Sequence, residues 1–138
     1  MASPEVRFRV DFSEACSVGA GKIELLETIA RTGSLSQAAR ELSMSYRRAW
    51  LLVDSLNRDF DTPVARTSVG GSGGGGAVLT EFGCELIAAY RALDGGIREL
   101  ADRKLRSIAG HITLAKGGSE ERGALGGVRR QRIARRLG

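Results

Sequence analysis

The spacing of apolar residues changes from a strand pattern to a helical pattern early in the chain. Residues 6–12, VRFRVDF, alternate between apolar and polar side chains, which predicts a half-buried β-strand. A turn that contains Gly19 and Gly21 is expected next. From residue 22, in KIELLETIART, apolar residues recur at intervals of three and four, as on one face of an α-helix. Gly33 is the predicted end of this helix.

Two further helices are predicted directly afterwards. In SLSQAAREL, residues 34–42, Ser34 followed by Gln37 fits a capping box, which satisfies free backbone N–H groups at a helix start. The short turn SMS leads to YRRAWLLVDSLNRDF, residues 46–60, with Ser45 as the predicted N-cap. Its apolar residues again fall three and four apart. Two helices joined by a turn of three to four residues make a helix-turn-helix.

The short segments VART and AVLT flank a glycine run in which six of the seven residues from 70 to 76 are glycine. Such a run suits a hairpin tip, a flexible linker or a phosphate-binding loop. The spacing in GSGGGG matches a dinucleotide fingerprint, but that motif needs a helix directly after it. We expect Val78 and the helix cap Thr80 to share a core with Val64, which favours a hairpin, the wing of a winged helix.

The longest predicted helix begins after Thr80 and reaches about residue 106. Its apolar residues step by three or four, close to a heptad repeat. We predict that they form a dimerisation surface, which consists of Phe82, Leu86, Tyr90, Leu93, Ile97 and Leu100. Gly95 and Gly96 lie inside this helix, where each glycine costs about 1 kcal/mol, so a kink or a break there remains open.

The predicted fold is mainly α with a small β-hairpin: a winged helix-turn-helix plus a long C-terminal dimerisation helix. Residues 1–21 are assigned to an N-terminal strand and turn, and residues 22–80 to the DNA-binding domain. Residues 81–106 are assigned to the dimerisation helix. Residues 107–138 are assigned to a basic tail that is expected to be mobile.

The net charge of +5 lies in the last part of the chain. Residues 116–138 hold seven Lys or Arg and two Glu, so the rest is neutral overall. The tail is interpreted as a basic arm that adds non-specific DNA affinity, or as a solvated tail without a role. Cys16 and Cys84 are interpreted as reduced, buried thiols of a cytoplasmic protein, with a disulfide or a redox switch as the alternative. No apolar run approaches the roughly 20 residues that cross a bilayer, and no membrane association is expected.

The start of the second helix of the helix-turn-helix carries the candidate base-reading residues, Arg47 and Arg48. In such motifs this helix presents its N-terminal residues to base edges in the major groove, and arginine is the usual reader of guanine. Further DNA contacts are predicted at helix starts, along the second helix and in the wing. They are Ser34, Ser36, Gln37, Ser45, Tyr46, Trp50, Arg58, Arg66, Ser72 and Gly73.

Each of these residues also has a purely structural interpretation. The two arginines at the helix start would then form a solvated charged face. Tyr46 and Trp50 would cover the join between helices instead of packing on sugar and phosphate. Arg58 and Arg66 would pair with nearby aspartates, and the residues that begin the first helix would act only as caps.

The segment GSLSQAARELSMSYRRAWLLVDSLN, followed by GGSGGGGAVLTEFG, resembles the N-terminal winged helix-turn-helix domain of ModE-type molybdate-dependent transcriptional regulators. LysR-type regulators share a looser frame, whereas MSYRRAW and the polyglycine wing favour the ModE type. The resemblance covers about residues 22–105 and implies a homodimer that reads a palindromic operator in double-stranded DNA. Full-length members also carry two C-terminal molybdate-binding modules. The residues after Leu105 are too few for these, so molybdate is a doubtful ligand.

Two alternatives to a DNA-binding regulator are an oxyanion sensor and a winged-helix module that binds other proteins. An enzyme is not expected. His111 is the single histidine, and it has no catalytic partner in its sequence neighbourhood. GAGK, residues 19–22, resembles the end of a phosphate loop but lacks the hydroxyl residue that should follow the lysine. No cofactor or metal is predicted.

Overall fold

The computed structural model describes residues 4–68 and 76–113, and the predicted wing contacts Ser72 and Gly73 and most of the basic tail lie outside them. The described elements are β1 (Arg9–Asp11), β2 (Ser17–Gly19), α1 (Ala20–Thr32), α2 (Leu35–Glu41), α3 (Tyr46–Asp59), β3 (Ala65–Thr67), β4 (Ala77–Leu79) and α4 (Glu81–Ala109). This order confirms a mainly α-helical winged helix-turn-helix. The chain divides into two units, Met1–Lys104 and Leu105–Gly138, and the fold below is that of the first.

The N-terminal strand is shorter than predicted and has a partner that the sequence pattern did not show. β1 and β2 form an antiparallel hairpin in which Val10 lies opposite Val18. Before β1, the chain lies against α4, where the Phe8 ring stacks on Tyr90 at 4.7 Å between ring centres. The Tyr90 hydroxyl donates a hydrogen bond to the Phe8 carbonyl (3.2 Å). Val6 and Phe8 are therefore half-buried without belonging to a strand.

The core of the first unit is centred on α1. Its largest fully buried side chains lie on α1, at the start of α2, on α3 and just before β3. They include Ile23, Leu25, Leu26, Ile29, Leu35, Leu56 and Val64. Because α1 is buried on more than one side, it forms the support on which the helix-turn-helix is built.

The predicted helix ends are confirmed, with one difference at α2. Gly33 ends α1 in the left-handed conformation (φ 69°). The Ser34 hydroxyl accepts the Gln37 backbone N–H (3.2 Å), as a capping box requires. The reciprocal bond does not form, because the Ser34 backbone N–H donates to the Thr32 hydroxyl (3.4 Å). The cap at α2 is therefore half of the predicted box.

The wing is an antiparallel pair in which Arg66 of β3 lies opposite Val78 of β4. The prediction that Val78 belongs to the core is wrong, since its side chain is 68% exposed. Side chains alternate across a strand, and in β4 the buried position is taken by Ala77. Val64 just before β3, Ala65 of β3 and Ala77 of β4 are nevertheless part of the core.

The long helix α4 runs over 29 residues through Gly95 and Gly96 without a break. Its start is capped as predicted, since the Thr80 hydroxyl accepts the Gly83 backbone N–H (3.0 Å). The same hydroxyl donates to the Pro63 carbonyl (2.6 Å), which ties α4 to the segment before the wing. Within the described ranges, no helix is both long enough and apolar enough to cross a membrane.

Candidate DNA-binding surface

The turn between α2 and α3 is held by the backbone. The Met44 N–H donates to the Ala39 carbonyl (3.0 Å), and Ser43 takes a left-handed conformation (φ 55°). Ala38, Ala39 and Ala49 are almost fully buried, because only small side chains allow the two helices to approach closely. These contacts fix the start of α3 relative to α2.

The first turn of α3 concentrates positive charge. The Ser45 hydroxyl accepts the Arg48 backbone N–H (3.1 Å), which confirms the predicted cap. Arg47 and Arg48 are exposed, and neither forms an ion pair with any described residue. The partial positive charge of the helix N-terminus adds to theirs. This arrangement suits an anionic partner.

Several other arginines of the described chain, by contrast, are paired with carboxylates. Arg58, a predicted DNA contact, pairs with Asp54 one turn earlier on α3 (3.1 Å). Arg66 on β3 is exposed and has no ion pair within the described ranges. Of the two candidates for flanking phosphate contacts, Arg66 thus has the more available charge.

Helix geometry orients the α3 side chains relative to the core. Ala49, Val53 and Leu56 face the core, and with 3.6 residues per turn Arg47 lies on nearly the opposite side. Tyr46 and Trp50 are 48% and 42% exposed, so they cover the join between helices only in part. Leu51, which sequence reasoning did not select, is also on the outer face.

The start of α2 lies beside the point at which β4 of the wing begins. Ser34 forms an isolated antiparallel bridge with Gly76, and the Ala77 backbone N–H donates to the Gly33 carbonyl (3.1 Å). The Ser34 and Ser36 hydroxyls are 3.3 Å apart. The structure therefore brings the predicted α2 contacts to the wing, with Gln37 exposed next to them.

Asn57 connects α3 to the wing and was missed by sequence reasoning. Its side-chain carbonyl accepts the backbone N–H groups of Val64 (2.8 Å) and Ala65 (3.3 Å). Its amide donates to the Ala65 carbonyl (3.0 Å). An asparagine inside a helix is a weak helix former, and that weak local preference was the available signal of a tertiary role.

The six predicted dimerisation residues fall into three groups, which are the residues used in the chain's own core, the half-buried Ile97 and the exposed leucines. Leu86 and Tyr90 are buried in the chain's own core, and Phe82 packs against that core. Leu93 and Leu100 are 45% and 47% exposed. The first group is covered because the N-terminal segment and Phe60 pack over it.

A small apolar groove adjoins the exposed group, and its volume is about 220 Å³. It is lined by residues of the N-terminal hairpin and α4, namely Val10, Phe12, Val18, Leu86, Ala89, Tyr90 and Leu93. The groove makes the hairpin and α4 one continuous apolar surface.

An ion-pair network joins α1 to α4. Arg91 donates to both carboxylate oxygens of Glu27 (2.9 and 2.5 Å), and these hydrogen bonds raise the pKa of its guanidinium. Asp94 then pairs with Arg91 and Arg98. The network fixes α4 against the helix that supports the helix-turn-helix.

Comparison with known proteins places this geometry in a known class. Residues 21–84 match the family described as bacterial regulatory helix-turn-helix protein, lysR family. The chain is 48% identical over 91 residues to the molybdenum-pterin-binding protein MopB of Rhodobacter capsulatus, covering 66% of this chain and 34% of MopB.

Two further relatives carry the name ModE. Identity to the molybdenum transport protein ModE of Azotobacter vinelandii is 34% over 107 residues, covering 75% of this chain and 40% of that protein. Identity to the DNA-binding transcriptional dual regulator ModE of Escherichia coli K12 is 42% over 72 residues, covering 52% of this chain and 28% of that protein. The chain therefore spans about a third of the length of these relatives. Residues 21–84 are a helix-turn-helix domain of the lysR type, and the resemblance to ModE-type regulators is confirmed.

Proposed function

We propose that this protein is a sequence-specific transcriptional regulator that binds a palindromic operator as a homodimer. Its helix-turn-helix domain and its ModE relatives support DNA binding and transcriptional regulation. The observation that carries the site assignment is the first turn of α3. There Arg47 and Arg48 are exposed without a carboxylate partner among the described residues.

The two arginines have different proposed roles. Arg47 lies opposite the core-facing side of α3, so it is the residue that reads a base edge in the major groove. Arg48 lies toward the side of the helix and contacts phosphate. Tyr46 and Trp50 pack on the sugar-phosphate backbone next to it.

The remaining DNA contacts flank α3. Ser34, Ser36 and Gln37 approach a phosphate from the start of α2, and Arg66 does so from the wing. Ser72 and Gly73, which lie outside the described ranges, are proposed to contact the DNA backbone. Phosphate contacts of this kind position the protein, whereas base contacts give specificity.

The homodimer is proposed to form through α4, within the segment 81–106. Leu93, Ile97 and Leu100 are its contacts, since Phe82, Leu86 and Tyr90 are already used inside one chain. The apolar groove beside Leu93 extends the same surface to the N-terminal hairpin. A regulator of this kind acts on DNA, and we expect it in the cytoplasm.

Binding-site selection from random DNA tests this proposal, with anisotropy titrations on the selected site. A palindrome is expected, because two recognition helices related by two-fold symmetry read inverted half-sites. Arg47→Ala should weaken specific binding by about 1–3 kcal/mol for each half-site and relax one base position in each of them. Arg48→Ala should weaken all sequences similarly and reduce the slope of log affinity against log salt by about 1.8, which is about 0.9 for each subunit of the dimer.

Arg103→Ala, which removes an exposed arginine of α4, is the charge-matched control. It should change the specific binding free energy less than Arg47→Ala does, and the salt slope less than Arg48→Ala does. If the Arg47→Ala, Arg48→Ala double variant bound the selected site as tightly as wild type, α3 would not be the reading helix.

A molybdate response is the second candidate, since MopB is named as a molybdenum-pterin-binding protein. Titration calorimetry with molybdate and tungstate tests it directly. The absence of both binding heat and a thermal shift would remove this candidate. DNA binding that is absent at every salt concentration, with an intact dimer, would instead favour a protein-interaction module.

A further inference from the structure

One apolar side chain interrupts the outer face of α3. Arg47, Leu51, Asp54 and Arg58 follow each other along this face at intervals of four, three and four residues, and Asp54 is paired with Arg58. Leu51 is 45% exposed and is absent from both the buried core and the apolar residues packed against it. Its exposed surface thus contributes little to the stability of the fold.

On the side toward the start of α3, the surroundings of Leu51 are cationic. A shallow groove of about 270 Å³ lies beside the start of α3, and Leu51 lines it together with Ser45, Arg47, Arg48 and Leu52. Both arginines lack a carboxylate partner within the described ranges. An apolar floor with unpaired positive charge at its edge fits a polyanion that also presents an apolar group.

The major groove of DNA has one prominent apolar group, the 5-methyl of thymine. The step from Arg47 to Leu51 along α3 is about 6 Å, at 1.5 Å per residue. Successive base pairs are 3.4 Å apart, so the two side chains reach bases no more than about two steps apart.

We propose that Leu51 is a specificity-determining residue that contacts the methyl group of a thymine within two base pairs of the base read by Arg47. The assignment rests on the proposed DNA-binding function. It adds that the second turn of α3 selects for thymine.

The experiment uses the full chain and the site that it selects from random DNA. Each thymine of the half-site is replaced in turn by deoxyuridine, which removes the methyl group and leaves the hydrogen-bonding edge unchanged. One replacement should weaken wild-type binding roughly fourfold, the effect expected for one buried methyl group. Leu51→Ala should bind the thymine and deoxyuridine sites equally, whereas Leu51→Met should retain part of the preference.

Leu51 is exposed, so we expect the variants to fold as wild type does, which thermal unfolding checks. A selected half-site without thymine, or equal wild-type binding to every deoxyuridine site, would overturn the assignment while the regulator function stands. The assignment would also be overturned if Leu51→Ala lost as much affinity as wild type when thymine is replaced by deoxyuridine, because another side chain would then contact the methyl group. If wild type selects no DNA, the proposed function fails, and this assignment fails with it.

Discussion

The first turn of α4 has no space for a side chain at Gly83. A β-carbon added there would lie 2.1 Å from the carbonyl oxygen of Val64 and 3.0 Å from its carbonyl carbon. That oxygen also accepts the Thr80 backbone N–H (3.0 Å), and the Val64 N–H is held by Asn57 (2.8 Å). Gly83→Ala therefore displaces backbone that is held from two sides.

The magnitude follows from opposing contributions. Forcing extra atoms into a packed region typically costs about 1–3 kcal/mol, and losing the hydrogen bond from Thr80 to Val64 costs about 1 kcal/mol more. Alanine recovers up to about 1 kcal/mol through its better helix propensity. We expect Gly83→Ala to lower the free energy of unfolding by roughly 2–3 kcal/mol, which lowers Tm by roughly 10–20 °C for a unit of this size.

Gly95→Ala in the same helix is the matched control. An added β-carbon at Gly95 meets no atom within 4 Å, so only the gain in helix propensity of about 1 kcal/mol remains. Thermal and urea unfolding of the full chain, followed by circular dichroism at one protein concentration, measures both variants. Opposite signs are expected, and a Gly83→Ala variant as stable as wild type would refute the close approach of Val64.

Three further predictions each concern a single side chain. Asn57→Ala leaves buried backbone groups of Val64 and Ala65 unpaired, so urea unfolding should show a loss of about 2–4 kcal/mol. A loss below about 0.5 kcal/mol would contradict the wing connection. Ser45→Ala removes the α3 cap and should lower the free energy of unfolding by about 1 kcal/mol, whereas Ser45→Asn should retain most of the stability that the cap contributes. Burial raises the pKa of the Tyr90 hydroxyl in the folded protein. The unfolded chain therefore loses this proton at a lower pH, about 10, and the free energy of unfolding declines as the pH rises above that value. Tyr90→Phe should reduce that decline in stability measurements between pH 8 and 11, and an unchanged profile would contradict it.

Local signals were sufficient to predict the helix-turn-helix. Ser45 and Thr80 cap their helices as expected, and Gly33 ends α1. Each of these features depends on residues only a few positions apart, so it is visible in the sequence. The same holds for the apolar residues of α3, whose spacing of three and four predicted a helix and whose members Val53 and Leu56 are buried.

Features that depend on distant residues were not predictable in this way. β2 has three residues and no alternation of its own, and it is a strand because it pairs with β1. The heptad-like spacing of α4 also does not show which neighbour covers each turn. Tyr90 is covered by Phe8, which is 82 positions away in the chain, whereas Leu93 one turn later is exposed.

The two strands of the wing and the segment before them are held by three different elements, and this affects how the DNA-binding surface works. Asn57 of α3 holds β3, the carbonyl of Gly33 after α1 holds Ala77, and Thr80 before α4 holds Pro63. Because these bonds exist before DNA binds, the wing strands lose little conformational freedom when the complex forms, which favours affinity. They also fix the start of α4 relative to α3. In the proposed dimer, the contact between the two α4 helices therefore sets the distance between the recognition helices, and with it the spacing of the operator half-sites.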